Sequence, residues 1–187
     1  MVQENQIEII ESQLRQCYGL VVWTHKVQEK CADILNERNN AVKFWQIVLS
    51  AITTSGIFIT VLGESKTAGI ASAIVSMLSL ALTTYVKKYD LGGMAQKHAD
   101  AAVSVWNIRE KYLSLLTDTK AEFIDINEIR STRNKLQSDL HKLYKGSPRT
   151  INKAYEEASN ALKNMEEMTF SDEEIDKFVP LPLKKTK

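Results

Sequence analysis

The sequence predicts an all-α membrane fold: a two-helix transmembrane hairpin continuous with long cytoplasmic stalk helices, plus a C-terminal helical segment. Three observations predict it. Residues 44–63 and 67–86 carry no charged side chain, and each run is 20 residues long, enough helix to cross a ~30 Å hydrocarbon core. Only Gly63-Glu64-Ser65-Lys66 joins the runs, a tight turn that makes them antiparallel and brings both ends of the pair to one face of the bilayer. The whole chain of 187 residues holds 7 Gly and 3 Pro and little β-branched alternation, which favours long helices.

Averages hide this pattern. A net charge of +1 and a mean hydropathy of −0.23 suit a soluble protein, but the apolar residues are unevenly spread. A hairpin buried inside a soluble bundle is the competing reading, and the Ser, Thr, Ala and Gly content of both runs keeps it open. No secretory leader is expected, because Met1 is followed by a polar, acidic stretch.

The first segment, residues 1–43, reads as a single helix running into the membrane. Ile7, Leu14, Val21, Leu35 and Val42 are heptad-spaced with Gln28 in the missing slot, and Ile10, Cys17, Cys31 and Trp45 follow a second register interrupted by Thr24 and Arg38. This is a coiled-coil-like seam with polar defects, made to pack on another helix of the chain or of a neighbour. Cys17 and Cys31 would lie ~21 Å apart on that helix, far beyond the ~7 Å limit for a disulfide, so both are expected to be thiols.

The hairpin occupies residues 44–86. Arg38 and Lys43 precede it and Lys87 and Lys88 follow it, while the turn carries one charge of each sign. The positive-inside bias therefore places both termini in the cytoplasm. Phe44, Trp45, Tyr85 and Tyr89 fall at the expected cytoplasmic interface. In the second span Ser72, Ser76, Ser79 and Thr83 recur at helical spacing on one face. Either they let helices approach closely in lipid, or they line a hydroxyl-bearing path through an oligomer. Neither span carries a charge, so nothing suggests a proton relay or voltage sensor.

Beyond the hairpin, Gly92 and Gly93 mark a candidate hinge, since paired glycines are costly inside a helix. A return stalk helix is expected within residues 87–118, resuming near Met94, with Ala99, Ala102, Trp106, Leu113 and Leu116 on one face. Residues 119–187 read as C-terminal helices and a basic tail. Asp125 and Glu128 form a capping box before Ile129. Gly146 ends that helix, and Ser147-Pro148 begins the next, with Ile151, Tyr155, Ala158, Leu162 and Met165 as its apolar face. Ser171 and Glu174 cap a last short helix, and the tail from Pro180 should be mobile.

Chemistry is sparse. His25, His98 and His141 are isolated from one another, and His25 and Cys31 lack the i, i+4 spacing of a helical metal site. There is no phosphate loop and no nucleophile motif, so no catalytic, cofactor or metal site is expected. Residues 130–153 do stand out, with a net charge of +6. Arg130, Arg133, Lys142, Lys145 and Arg149 are the candidates for contact with an anionic ligand or lipid headgroup. The plainer alternative is a solvated face paired with the acidic segment that follows.

Several stretches together resemble a known family. They are Leu14-Arg15-Gln16-Cys17-Tyr18-Gly19, Val22-Trp23-Thr24-His25-Lys26 and Glu29-Lys30-Cys31-Ala32, then Asp90-Leu91-Gly92 with Ala95-Gln96-Lys97-His98. Trp106-Asn107-Ile108-Arg109-Glu110-Lys111-Tyr112, Tyr144-Lys145-Gly146 and Pro148-Arg149-Thr150 complete the set. From about Leu14 to Phe178 the chain resembles the SLATT family of small two-transmembrane effector domains. The resemblance implies a pore-forming or membrane-disrupting effector of bacterial conflict and anti-phage systems, resident in the inner membrane and acting as a homo-oligomer. It implies triggering through a nucleotide-signalling enzyme or a reverse-transcriptase-type partner, with no direct binding of nucleic acid, and it carries over no catalytic residue. A passive membrane anchor for a signalling partner is the alternative function, and a soluble helical bundle or enzyme is a third.

Overall fold

The computed structural model describes residues 2–63 and 66–185, all of it helix, turn or coil. Glu64 and Ser65 of the expected turn lie outside the described residues. The elements are α1 (Val2–Gly63), α2 (Lys66–Tyr89), α3 (Leu91–Lys120), α4 (Ile126–Gly146), α5 (Asn152–Lys163), α6 (Asp172–Ile175) and a 3₁₀ turn at Leu181–Leu183.

Helix α1 runs 62 residues without a break, a rod of ~93 Å. It is the spine of the molecule: α2 packs on its C-terminal part, and α3 and α5 on its N-terminal part. The heptad seam explains this. Ile10, Leu14, Val21, Gln28, Cys31 and Leu35 are all buried. Against the first half sit Val105, Ile108, Tyr112 and Leu115 of α3 and Ile129 and Leu136 of α4, forming one apolar core. A second core joins Val27, Cys31 and Ile34 of α1 to Ala154 and Ala158 of α5.

Helix α3 starts at Leu91, three residues before the expected Met94. Its buried face is also rotated from the expected one: Trp106 stays 41% and Leu113 40% exposed. Leu91, His98, Val105, Tyr112 and Thr119, spaced by seven, are buried instead, with Ala95 and Ala101 beside them; of the expected face, Ala102 is buried and Leu116 packs partly against the core. Those alanines let the two backbones approach, and the exposed stripe is a second apolar face left uncovered.

The break between α2 and α3 is one residue long. Asp90 adopts a left-handed conformation (φ 37°, ψ 56°), and its carboxylate accepts from the Gly93 N–H at 3.1 Å. Gly92 and Gly93 themselves sit in the first turn of α3, and each meets a close neighbour. A Cβ on Gly93 would fall on the Asp90 carboxylate, and one on Gly92 would lie 3.3 Å from Asn39 Nδ2 of α1.

Helix α4 is capped by Asp125, which accepts from the N–H groups of Asn127 and Glu128. Helix α5 begins at Asn152, later than the Ser147-Pro148 start expected. Ser147 is extended (φ −79°, ψ 145°), as a residue before proline tends to be. The buried face of α5 is Ala154, Ala158 and Ala161, and Tyr155 and Met165 are exposed. Ser171 and Glu174 form the expected capping box on α6. The tail folds back on that helix: the Lys185 backbone N–H donates to Asp176 at 3.1 Å, and its ammonium to Asp172 at 3.1 Å.

Candidate functional site

The hairpin is the part of the molecule whose apolar surface the fold leaves open. The apolar window of the first spanning stretch is 0% buried and that of the second 6%. Ile47, Phe58, Val61, Met77 and Leu80 are each more than half exposed. A soluble core helix would bury such side chains, whereas a lipid-facing one presents them. Phe44 lies against Trp45, and Tyr85 against Tyr89, so aromatic pairs mark one end of both spans, as in an interfacial belt.

Small and hydroxylated residues fill the seam between the two spans. A Cβ on Gly56 would fall onto the Ser72 hydroxyl, and one on Gly69 would lie 3.3 Å from the Thr60 methyl. Gln46 Nε2 donates to Thr83 Oγ1 at 3.4 Å. Most of the other hydroxyls satisfy themselves within their own helices. Thr53 donates to the Leu49 carbonyl, Thr60 to Gly56, Ser72 to Ala68 and Ser76 to Ser72, at 2.7–2.9 Å. This is how polar side chains are tolerated in lipid. The four serine and threonine candidates of α2 therefore divide. Ser72 is buried in the seam, Thr83 is bonded across it, Ser79 is half-buried, and Ser76 is exposed.

Below the spans, α1 and α3 are held by a polar layer that the sequence reading left as isolated stalk-face histidines. His98, 1% exposed, contacts Gln28 Oε1 through Nδ1 at 2.5 Å. His25 Nδ1 lies 2.9 Å from the Ala102 carbonyl, with the ring against Trp106. Burial pushes the His98 imidazole below its ordinary value. The signal was present: Gln28 fills a heptad slot of α1, and His98 stands one heptad after Leu91. Arg109 lies over the Trp106 ring at 4.3 Å and pairs with Glu110.

The five basic candidates are not brought together. Arg133 is on α4 beside the N-terminal half of α1, donating to Gln13 Oε1 at 2.6 Å. Arg130 is exposed one turn away. Lys142, Lys145 and Arg149 lie around the α4–α5 connection, Lys142 and Lys145 about 13–18 Å along α4 from Arg133 and Arg149 beyond its end. Lys142 pairs only with Asp139 of its own helix. The acidic segment does not cover this surface: Glu167 pairs with Lys26 at 2.5 Å and Lys30 at 3.9 Å, and Asp172 with Lys185. Among the described residues, no cluster of His, Cys, Asp and Glu is arranged to hold a metal ion.

Two long, lipid-suited helices on a helical bundle fit one family of domains, and the chain matches it over residues 10–174, nearly its whole length. The chain belongs to the SMODS and SLOG-associating 2TM effector domain family 4. It is thus a SLATT protein and a membrane protein. Among curated proteins and solved structures, none matches it. The family is an effector family rather than a known catalytic one, and α1 and α2 carry the two stretches long and apolar enough to cross a membrane.

Proposed function

We propose that this SLATT protein is the membrane effector of a bacterial conflict or anti-phage system. Several copies assemble in the inner membrane and breach it when a signal reaches the cytoplasmic helices. One observation carries the reading. The spans are joined to the cytoplasmic bundle without a compliant linker: α1 passes unbroken through both, and α2 and α3 are separated by Asp90 alone. A passive anchor needs no such rigid connection, whereas an effector driven from its cytoplasmic side does.

Both termini lie in the cytoplasm in this reading, since Arg38, Lys43, Lys87 and Lys88 flank the spans on that side. The joint formed by Asp90, Gly92 and Gly93 passes the motion of α3 on to α2, and yields as a hinge only when the Asp90 cap breaks. Two helices cannot enclose a path, so the lining comes from several hairpins. Ser76, the exposed hydroxyl of the α2 set, faces outward toward neighbours, and Ser72, Ser79 and Thr83 join it when the seam opens. The trigger comes from a nucleotide-signalling or reverse-transcriptase-type partner.

The test is membrane potential in living bacteria after controlled induction, followed with a voltage-sensitive dye beside a variant lacking residues 44–86. Hairpin-dependent depolarisation, alone or with the partner and a phage challenge, is the expected result. An alkali-resistant membrane protein that never depolarises the cell, even with its partner, would make it an anchor. Ser76→Leu is expected to reduce leakage without preventing membrane insertion.

A further inference from the structure

The α4–α5 connection holds hydrogen-bonding capacity that the fold does not consume. Residues 147–151 leave α4 in extended conformation, and α5 then starts at Asn152 without a side-chain cap. The N–H groups of Arg149 and Thr150 meet no acceptor among the described residues. The next N–H, of Ile151, is engaged by the Cys31 thiol, so the open donors are these two, just ahead of a helix start, a place that favours an anion.

That geometry alone would signify little, but a second observation points the same way. The connection borders an open surface depression of about 380 Å³ lined by Gln28, Tyr144, Ser147, Pro148, Arg149 and Thr150. Gln28 of α1 is 3% exposed. Its Oε1 is taken by His98, and its Nε2 amide has no acceptor among the described residues. That amide is free to donate, and an acceptor arriving in the depression would take it. Arg149 is exposed and in no ion pair among the described residues. Across Ser147 and Pro148, an adjoining depression of about 340 Å³ adds Lys97 and Lys142, with Asp100 as its one acid.

We propose that this is a binding site for a small phosphate-bearing solute. Arg149, the Gln28 amide and the N–H groups of Arg149 and Thr150 hold the phosphate, and Lys142 and Lys97 flank it. Donors and cations outnumber acceptors, which suits a phosphate better than a neutral ligand. The source is the cytosol rather than the bilayer. Gln28 lies fifteen residues before Lys43 along α1, ~22 Å below the start of the span, whereas the headgroup layer adds only about 5–8 Å to the core on each side. The site touches α1 and the α4–α5 connection, and through His98 it reaches α3. This inference concerns binding and stands whether or not the hairpin breaches membranes.

The experiment uses the full chain in nanodiscs, with inorganic phosphate and pyrophosphate as probes at constant ionic strength. Line broadening in ³¹P spectra and thermal unfolding are read together. The expected result is saturable binding with Kd of about 1 mM or tighter, about tenfold weaker in Arg149→Ala and weakened in Lys142→Ala. Both substitutions are on the surface, so folding is retained, and unfolding without ligand verifies it. Chloride or sulfate matching phosphate at equal ionic strength would overturn the proposal, as would unchanged binding in Arg149→Ala. Phosphate binding abolished in anionic nanodiscs, but present in zwitterionic ones, would overturn the cytosolic source in favour of lipid headgroups.

Discussion

Gly56→Ala is the sharpest probe of the hairpin. The added Cβ would fall on the Ser72 hydroxyl, with Ser72 Cβ 3.2 Å away. Ordinary contact needs about 3.5 Å, so the hydroxyl must swing aside or the helices must part. Swinging aside gives up the bond to the Ala68 carbonyl, and the Ser72 Cβ still stays tight. Overpacking of this kind costs about 1–3 kcal/mol. Ser72→Ala alone removes only a hydroxyl bonded within its own helix, worth under about 1 kcal/mol. It also clears the worst contact, so Gly56→Ala with Ser72→Ala should recover most of the loss, a coupling of about 1–2 kcal/mol. Reversible unfolding in mixed micelles gives all four corners of the cycle. A neutral Gly56→Ala, or one that Ser72→Ala fails to rescue, would show that the spans do not meet at this pair.

Three further predictions concern the helical bundle outside the spans. Tyr112 is fully buried, yet among the described residues its hydroxyl has no nitrogen or oxygen partner and meets only the Cys17 thiol, a weak partner; burial, with Cys17 beside it, pushes that phenol well above its ordinary range. Tyr112→Phe should therefore be neutral or stabilising by up to about 1 kcal/mol in denaturant titrations, and Tyr112→Ala should cost about 3–5 kcal/mol. His98 is held below its ordinary pKa by burial, so the unfolded chain takes up that proton more readily. Its contribution is complete above about pH 6.5 and is lost as pH falls through the lower folded value. Thermal midpoints should drop between about pH 7.5 and 5.5, and less so in His98→Gln. The Lys26 ammonium holds the Glu167 carboxyl below its ordinary pKa, a stabilisation present above the unfolded carboxylate range and lost as pH falls through the folded value. Glu167→Gln should remove that acid-dependent loss and speed hydrogen exchange in the turn where Glu166 and Met168 have positive φ; exchange unchanged from the parent would refute the pairing.

How much of this was legible in the sequence depends on the kind of interaction. The spans, the unbroken α1, the Asp125 cap and the Ser171–Glu174 box are local: charge-free length, heptad spacing and cap chemistry specify them without knowledge of the partner. The face of α3 was not. Ala99, Trp106 and Leu113 make as good an apolar stripe as the one that is buried. The choice is made by what α1 offers opposite, namely Gln28 for His98, and by the close approach that α3's own Ala95, Ala101 and Ala102 allow. The α5 start was misjudged for a related reason. Ser147-Pro148 has the composition of a helix start, but Ile151 packs onto the Val27–Ile34 stretch of α1, and the chain stays extended to reach it. The basic residues were visible as a run, but their division between two ends of α4 needed the fold.

The joint at Asp90 links these observations to the proposed mechanism. A left-handed aspartate costs about 1 kcal/mol or more, and its carboxylate offsets this by capping the Gly93 N–H. A Cβ at residue 93 would destroy that cap, and one at residue 92 would press on Asn39, so the glycines serve a close-packed joint rather than a loose one. A joint of this kind resists small displacements and yields only when the cap breaks. Movement of α3 against α1 by less than that threshold passes into α2 and shifts the Gly56–Ser72 seam. The polar layer of Gln28, His98 and His25 lies on the same pair of helices, farther from the spans. A ligand that draws the Gln28 amide toward Arg149 acts on the α1–α3 contact directly, with no flexible segment between it and the spans to dissipate the motion.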